Sequence, residues 1–374
     1  MKERLTAVLA AVMLCTSAGA VEVSAPSAIL LEKETGTVLY AKDEHAKLEP
    51  ASVTKVMTLL LTMEAIDSGA LNWDTVITAS AHACSMGGSQ IWLKEHEQMT
   101  VEDMVKAVCV VSANDCAVAL GEAIAGSEAA FAEKMNARAA ELGMADTHFC
   151  NATGLPAQGH LTSAHDIGIM SRELILHHPE IRKFTTIWMD TLRNGESQLV
   201  NTNKLIRFYE GATGLKTGST DAARYCLSAT AEREGMELVA VIMKGETSEK
   251  RFEDAKALLN YGFSTYSLTD VTPADPLPTV AVTLGEQDCV AVTLPEGENT
   301  VLLEKSKAAN LTRTVDLPET VDAPVAAGDR LGTLSICSGE ETVKTIPLVA
   351  AASVEKLTWG QMLKQLLQMA IFCG

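Results

Sequence analysis

Ser52 and Lys55 stand three residues apart at the start of a long apolar segment. On a helix, this spacing puts two side chains on the same face, one turn apart. A serine hydroxyl becomes an effective nucleophile when a neighbouring base removes its proton. A lysine that is partly desolvated and close to another cation can be neutral enough to serve as that base. Alone, the spacing is weak support, because a helix-start serine near a surface lysine is common in proteins of this size.

Two further motifs follow in the chain. Ser112–Asn114 interrupts an apolar helical stretch, where polar side chains need a reason to point inward, although a capped loop would also explain them. Lys216–Gly218 lies at the head of a predicted strand, where we expect the glycine to let a substrate chain approach the sheet edge. A plain Gly-Thr turn is the alternative there. In this order, the three motifs match the S-x-x-K, S-D-N and K-T-G set of penicillin-binding proteins and class A β-lactamases, with alanine in the middle of the second.

The elements around these motifs predict an α+β fold. Apolar runs with short turns predict one hairpin over Ser27–Lys42 and another over Arg224–Gly245, while helices are expected at Ser127–Leu142 and Ser163–His177. The apolar segment that follows Pro50 has helical length and few polar positions, which is typical of a central helix. We therefore expect one antiparallel sheet built from N- and C-terminal strands, with a helical cluster against it.

Both ends of the chain differ from this pattern. Residues 1–20 begin with Lys2 and Arg4, continue through an apolar run and end in Ala18-Gly19-Ala20, which is typical of a secretory signal peptide. Cys15 does not indicate a lipoprotein, because Leu14 precedes it where a small residue is required. The predicted division is a signal peptide at 1–20 and a catalytic domain at 21–268.

From residue 269 to about 350, short β-branched runs separated by Pro, Gly and Glu predict a small all-β domain. Residues 353–374 predict an amphipathic helix with a polar stripe opposite Trp359 and Leu363. This helix is too polar to span a bilayer, so we interpret it as an anchor at the membrane surface, through residues 354–374. A helix packed on its own protein is the alternative.

Composition narrows the function further. The net charge of −18 argues against a nucleic-acid partner, because phosphates would be repelled. The eight cysteines beyond the leader form no C-x-x-C pair and have mostly apolar neighbours, so buried free thiols are the simpler expectation even though export would permit disulfides. Zinc-ligand spacing is absent, and His177-His178 is expected to be a helix end. No metal and no cofactor are predicted.

Longer segments extend the motif match. The stretches PASVTK, NATGLP, GHLTSAHDI, GATGLKTGST and RYCLSATA resemble the serine-type D-alanyl-D-alanine carboxypeptidases among the low-molecular-mass penicillin-binding proteins, continuously over about Val23–Tyr266. The resemblance implies a penicilloyl-serine transferase/β-lactamase-like fold and an exported protein at the outer face of the cytoplasmic membrane or in the cell wall. It implies peptidoglycan stem peptides ending in D-Ala-D-Ala as substrates and β-lactam antibiotics as covalent inhibitors.

The resemblance also implies residue roles. Ser52 would form the acyl-ester after Lys55 takes its proton, and Ser112 would relay a proton to the leaving D-alanine. Thr217 and Arg251 would contact the substrate carboxylate, and an oxyanion hole would use the backbone N–H groups of Ser52 and Ser219. The implied substrate-binding residues are Asn114, Lys216, Thr217, Gly218, Ser219 and Arg251. Ser219 and Arg224 differ from the residues common in relatives.

Three alternatives stay open at this point. A class A β-lactamase would need a Glu-x-x-x-Asn motif between Asn114 and Lys216, and none is present. A non-catalytic penicillin-binding scaffold would not need the reactive side chains that this chain retains. A bias towards transpeptidase or endopeptidase activity depends on pocket shape, which motifs do not report.

Overall fold

A computed structural model describes residues 21–273, 275–308 and 310–364. The predicted signal peptide at 1–20 lies outside the described residues. The chain divides into two compact units with the main boundary between Tyr261 and Gly262, and the turn Glu234–Met236 is grouped with the second unit. Among the helices of the described residues, none combines the length and apolar composition that a membrane span requires.

The first unit alternates a few strands with a helical cluster. In chain order its elements are β1 Ser27–Glu32, β2 Val38–Lys42, α1 Lys55–Asp67, β3 Val76–Thr78, α2 Ala81–Cys84, β4 Gln98–Thr100, α3 Val101–Val110, α4 Asn114–Ala125, α5 Glu128–Glu141, α6 Ala164–His177, α7 Arg182–Thr185, β5 Met189–Leu192, β6 Ser197–Val200, α8 Leu205–Phe208, β7 Ala212–Thr220, β8 Arg224–Arg233, β9 Met236–Gly245 and α9 Ser248–Thr265, the last of which crosses the boundary.

The main sheet has five strands in the order β2-β1-β9-β8-β7, and the pairs β1–β2, β1–β9 and β7–β8 are antiparallel. The first strand of the chain therefore pairs with β9, about 200 residues later, with Leu30 opposite Ala240. Both strands are almost fully buried, which explains their continuous apolar sequence. The predicted α+β fold, with one antiparallel sheet from both ends of this region, is confirmed.

Helix positions follow from local signals. Thr100, Ser127 and Ser163 each accept a hydrogen bond from a backbone N–H in the first turn of α3, α5 and α6, which fixes those helix starts. Helix α1 is buried on nearly every side, as its uniformly apolar sequence predicts. It begins at Lys55, because residues Ala51–Thr54 form a separate 3₁₀ turn.

The second unit is mostly β. Its elements are β10 Tyr266–Asp270, β11 Val280–Thr283, β12 Cys289–Val290, β13 Val292–Thr293, β14 Thr300–Glu304, α10 Lys305–Ala308, β15 Leu311–Asp316, β16 Thr320–Asp322, β17 Arg330–Ser338 and β18 Glu341–Ala350. The largest sheet of this unit has the order β13-β18-β17-β15, and its core holds Leu334, Ile336, Ile346 and Leu348.

The predicted helix over 353–374 starts too early. Val354 is 1% exposed in the core of the second unit and exchanges backbone hydrogen bonds with Val325, while Lys356 forms a bridge with Gly285. The apolar side chain of Val354 is therefore used in the β core. Helical residues begin at Trp359 and continue to Lys364, and residues 365–374 lie outside the described part of the chain.

The cysteine expectation holds in part. Among the described residues all seven cysteines are free thiols, but only Cys109, Cys116 and Cys226 are buried. Cys84, Cys150 and Cys337 are half-buried and Cys289 is exposed, so burial as small hydrophobes explains only three of them.

Candidate active site

The Ser52 turn places the first two predicted site residues together. Ser52 lies in the 3₁₀ turn Ala51–Thr54, directly before α1. Lys55 is the first residue of α1, and its Nζ lies 3.0 Å from Ser52 Oγ. The preceding Ala51 has a φ of +48°, a left-handed conformation that non-glycine residues adopt at a cost. The turn is thus held in a strained shape that presents the hydroxyl to the amine.

The Lys55 amine lies in a dry environment. The residue is completely buried, and Nζ also donates to the carbonyl of Thr153 at 2.9 Å. Burial holds the pKa of Lys55 well below its ordinary value, and the Lys216 cation lowers it further, while the carboxylate of Asp115 acts in the opposite direction. A lysine in this setting can be neutral near physiological pH and can accept a proton from the neighbouring hydroxyl.

Ser112 lies between α3 and α4, Asn114 is the first residue of α4, and both are buried. Ser112 has a φ of +64° and its buried Oγ has no hydrogen-bond partner among the described residues. Asn114 Nδ2 donates to the carbonyl of Gly87 at 2.6 Å, and its buried Oδ1 has no partner within the same set. Buried polar atoms without partners are costly, so these two atoms are suited to bonds with a bound molecule.

Strand β7 supplies the third group. Lys216 is 1% exposed, and burial lowers its pKa to about 7. Its Nζ donates to the carbonyl of Thr217 at 2.9 Å, and the Thr217 hydroxyl lies 2.7 Å from that of Thr202. Ser219 stands two residues after Thr217, so both side chains lie on the same face of the strand, and Ser219 is exposed. The strand presents a buried amine that is partly protonated near neutral pH, together with hydroxyl groups.

Gly218 lies directly against the nucleophile turn. A Cβ at this position would lie 2.8 Å from the carbonyl of Pro50 and 2.9 Å from the backbone nitrogens of Ser52 and Val53. The nucleophile turn therefore occupies the space that a side chain at Gly218 would need, and the approach of a substrate to this strand stays a prediction. The absent side chain lets β7 pack directly against that turn.

Arg251 reaches the same strand from the first turns of α9. It is 7% exposed, and its Nη1 donates to the carbonyls of Gly218 at 3.0 Å and Cys226 at 3.2 Å. Its Nε is buried with no hydrogen-bond partner among the described residues. Burial lowers the pKa of this guanidinium. Arg251 therefore adds positive charge behind β7, beside Ser219.

The loop Asn151–Pro156 is a part of the site for which sequence reasoning predicted no role. Asn151 Oδ1 accepts from the backbone N–H groups of Thr153 at 3.1 Å and Gly154 at 2.7 Å, which fixes the carbonyl of Thr153 towards Lys55. Gly154 has a φ of +80°, and a Cβ there would lie 1.8 Å from the carbonyl of Ala51. The NATGLP motif signalled this loop, but its function as a support for Lys55 depends on tertiary contacts.

His160 supports the same turn through a hydrogen bond to Thr54. Its Nδ1 accepts from the backbone N–H of Cys150 at 2.9 Å, so Nε2 carries the proton and donates to Thr54 Oγ1 at 2.8 Å. Burial lowers the pKa of His160 to about 4, with a smaller effect from His148. The ring is therefore neutral near physiological pH and holds Thr54, the residue next to Lys55, in place.

Asp115 is the other residue that the sequence analysis missed. Its completely buried carboxylate accepts from the backbone N–H groups of Ile91 at 3.1 Å, Leu93 at 3.0 Å and Cys116 at 3.0 Å. It thereby ties the loop that contacts Asn114 to the start of α4. Its position directly after Asn114 was the available signal.

A cleft of about 250 Å³ opens beside the Ser52 turn. Its walls come from Pro50 and Ala51, from the loop Gly154–Gln158 and from Thr220 and Ala222 at the end of the β7–β8 hairpin. Among the described residues, no group of three or more His, Cys, Asp or Glu side chains could hold a metal ion. The arrangement itself contains a nucleophile, a base and cations for an anionic ligand.

Comparison with known families and relatives gives two adjoining matches. The family model described as D-alanyl-D-alanine carboxypeptidase matches residues 14–247, and the one described as penicillin-binding protein 5, C-terminal domain, matches residues 266–356. A Bacillus subtilis protein named D-alanyl-D-alanine carboxypeptidase DacF is 39% identical over 91% of this chain and 88% of its own length. Escherichia coli DacD, which carries the same description, is 32% identical over 89% of this chain and 87% of its own.

Solved structures agree with these matches. Penicillin-binding protein 5 from Haemophilus influenzae has a TM-score of 0.80 at 26% identity and covers 90% of this chain and 98% of its own. Penicillin-binding protein D2 from Listeria monocytogenes, solved in an ampicillin-bound form, has a TM-score of 0.59 at 34% identity and covers 64% of this chain and 98% of its own. The expected fold class is confirmed by these neighbours.

The packing of Gly218 predicts that Gly218→Ala is destabilising. The new methyl group must displace backbone atoms of the Ser52 turn, so we expect a loss of about 1–3 kcal/mol in the free energy of unfolding. Gly87→Ala is the matched control for stability, because a Cβ at Gly87 meets nothing within 4 Å. Urea denaturation of both variants measures the difference. Equal stability of the two would contradict the direct contact between β7 and the turn.

Proposed function

Because the chain belongs to the D-alanyl-D-alanine carboxypeptidase family of serine peptidases, we propose that it removes the terminal D-alanine from peptidoglycan pentapeptides through an acyl-enzyme on Ser52. The observation that carries this proposal is the buried Lys55 amine, 3.0 Å from the Ser52 hydroxyl. A nucleophile and a base in hydrogen-bond reach, with no histidine between them, fit serine acyl transfer.

Acylation uses the groups of the first unit in sequence. Neutral Lys55 accepts the proton of Ser52 Oγ, and the oxygen attacks the carbonyl carbon between the two D-alanines. The backbone N–H groups of Ser52 and Ser219 donate hydrogen bonds to the carbonyl oxygen and stabilise the negative charge that develops on it. When the C–N bond breaks, the leaving amine takes a proton, which passes from Lys55 by way of Ser112.

Deacylation completes the cycle. Water attacks the ester carbonyl, the Ser52–acyl bond breaks, and the proton of the water returns to Ser52. The products are the shortened peptide and free D-alanine, so atoms and charge balance without a metal or an organic cofactor.

The substrate carboxylate explains the cations of the site. A free carboxylate ends the D-Ala-D-Ala peptide, and a buried anion requires a charged or hydrogen-bonding partner. Lys216 and Thr217 on β7 supply a cation and a hydroxyl, and Arg251 adds positive charge from behind the strand. Asn114 faces the acyl portion with its unpaired Oδ1, which can accept from a substrate N–H. Penicillins, which carry a carboxylate beside a strained amide, would be covalent inhibitors at the same serine.

The second unit and the end of the chain fit a peripheral location. We place the protein at the outer face of the cytoplasmic membrane or in the cell wall, where peptidoglycan is found. Trp359 is 87% exposed and Leu363 is 59% exposed, and four residues along a helix put both on one face. This face supports attachment to the membrane surface through the terminal segment, which starts at Trp359 and not at residue 354.

The nucleophile assignment predicts covalent labelling that depends on Ser52. The purified mature protein should bind a fluorescent penicillin covalently and release D-alanine from a peptide ending in D-Ala-D-Ala, whereas Ser52→Ala should do neither. Ser68→Ala, at the exposed end of α1, is the control and should retain both activities. Label that survives Ser52→Ala would rule out this serine. Labelling without D-alanine release would indicate a scaffold, and rapid penicillin hydrolysis a β-lactamase.

The charges around Lys55 predict opposite shifts in the pH dependence of acylation. The acylation rate constant rises as Lys55 loses its proton. The rising limb of the curve of rate constant against pH therefore follows the pKa of Lys55. Removing the Lys216 cation in Lys216→Gln raises that pKa and moves the limb to higher pH. Removing the Asp115 carboxylate in Asp115→Asn lowers it and moves the limb to lower pH. The measurement is the rate constant for penicillin acylation across a pH series, and shifts in the same direction would show that Lys55 is not the titrating base.

The terminal segment predicts reversible binding to lipid. The double substitution Trp359→Ser and Leu363→Ser removes the exposed apolar face and should abolish most flotation of the full chain with liposomes. Val76→Ser changes a comparably exposed apolar residue of the first unit, 55% exposed, and should have no effect. If the double variant floats as well as the wild type, the membrane contact lies elsewhere.

A further inference from the structure

Trp92 is a large, exposed aromatic side chain between two buried residues of a loop. It is 73% exposed, although its neighbours Ile91 and Leu93 are 6% and 5% exposed. Its φ is +61°, a left-handed conformation that costs a bulky residue on the order of 1–3 kcal/mol. Such a conformation persists only where the surrounding structure enforces it, so the outward position of this ring is imposed on the loop.

The backbone on both sides of Trp92 is held by two charged side chains. The Asp115 carboxylate accepts from the N–H groups of Ile91 and Leu93, at 3.1 and 3.0 Å. Arg193 Nη1 donates to the carbonyl of Ile91 at 2.8 Å, and its Nε pairs with Glu97 at 2.7 Å. The ring is therefore carried on a fixed support, and a ligand that stacks on it would not have to order the loop.

A cleft of about 710 Å³ adjoins the ring, within the size range of small-molecule sites. Its polar lining residues are Lys94, Glu95, His96, Glu97, Arg193, Glu196 and Ser197. Both signs of charge are interspersed, so the lining does not select a strong anion or a strong cation. Hydrogen-bonding groups around an aromatic face suit a neutral ligand that has both hydroxyl groups and an apolar C–H face.

The loop that carries Trp92 also contacts an active-site residue. Gly87, five residues before Trp92, accepts from Asn114 in the active site. An extended chain spans at most about 3.6 Å per residue, so the Cα atoms of Gly87 and Trp92 are at most about 18 Å apart. Four stem-peptide residues separate the scissile bond from the sugar of the glycan strand, a span of about 14 Å at most when extended. The largest possible Gly87–Trp92 distance and the length of the extended stem peptide are therefore of the same order.

We propose that Trp92 and the adjoining cleft form a saccharide subsite that binds the glycan portion of the substrate while its stem peptide occupies the active site. This proposal rests on the proposed carboxypeptidase function, because that function supplies the glycan. The ring stacks on one face of a sugar, and the polar side chains of the cleft bond its hydroxyl and amide groups.

The test compares two substrates that differ only in the sugar. Both are pentapeptides ending in D-Ala-D-Ala, one free and one attached to its disaccharide. The wild type should show a KM about tenfold lower for the disaccharide form, and Trp92→Ala should remove that difference without changing kcat or the KM of the free peptide. Phe208→Ala is the matched control, because Phe208 is also an exposed aromatic residue of the first unit, at 63%.

A second measurement is independent of turnover. A soluble peptidoglycan glycan oligomer without peptides should bind the wild type and Phe208→Ala in isothermal titration calorimetry, and it should not bind Trp92→Ala. Equal KM values for the two substrates in the wild type, or glycan binding that survives Trp92→Ala, would overturn the subsite. Glycan binding without D-alanine release from either peptide would support the subsite and contradict the proposed carboxypeptidase activity instead.

Discussion

The burial of Lys55 beside Ser52 is the constraint on which the rest of the site depends. A charged amine without water is strongly unfavourable, so the fold either pairs it or removes its charge. Here Nζ has the Ser52 hydroxyl and the Thr153 carbonyl as partners, which are neutral groups, and the Lys216 cation opposes its protonation. The result is an amine that is ready to take a proton from the hydroxyl next to it.

Much of the surrounding structure maintains this arrangement. Gly218 and Gly154 have no side chain at the points where β7 and the Asn151–Pro156 loop touch the Ser52 turn. His160, kept neutral by burial, fixes Thr54, and Asp115 fixes the loop that contacts Asn114. Helix α1 anchors the turn in the core, since almost every position of the helix is buried. Precise geometry at Ser52 is therefore a property of the whole first unit.

Sequence reasoning predicted what local patterns determine. The hairpins, the capped starts of α5 and α6, and the meeting of Ser52 with Lys55 follow from apolar periodicity, hydroxyl caps and the spacing of three residues. The pairing of β1 with β9 was expected only because strands stand at both ends of the region.

Contacts between distant segments could not be predicted in this way. The neighbour of Gly218 turned out to be the nucleophile turn, and the roles of His160 and Asp115 depend on backbone groups that no motif names. Val354 looked like the start of an amphipathic helix, but its side chain is buried in the core of the second unit, beside strand residues that are distant in sequence. Residues that support a site, unlike those that react, leave weak sequence signals.

The most direct test of the account is the pKa of Lys55 itself, measured by NMR titration of lysine side-chain nitrogens and assigned with Lys55→Arg. If burial keeps the amine of Lys55 neutral, one lysine signal, absent from that variant, titrates well below the ordinary lysine pKa of 10.5. A Lys55 signal that titrates near the ordinary value would contradict its role as the base, because the amine would then be charged and unable to accept the proton of Ser52.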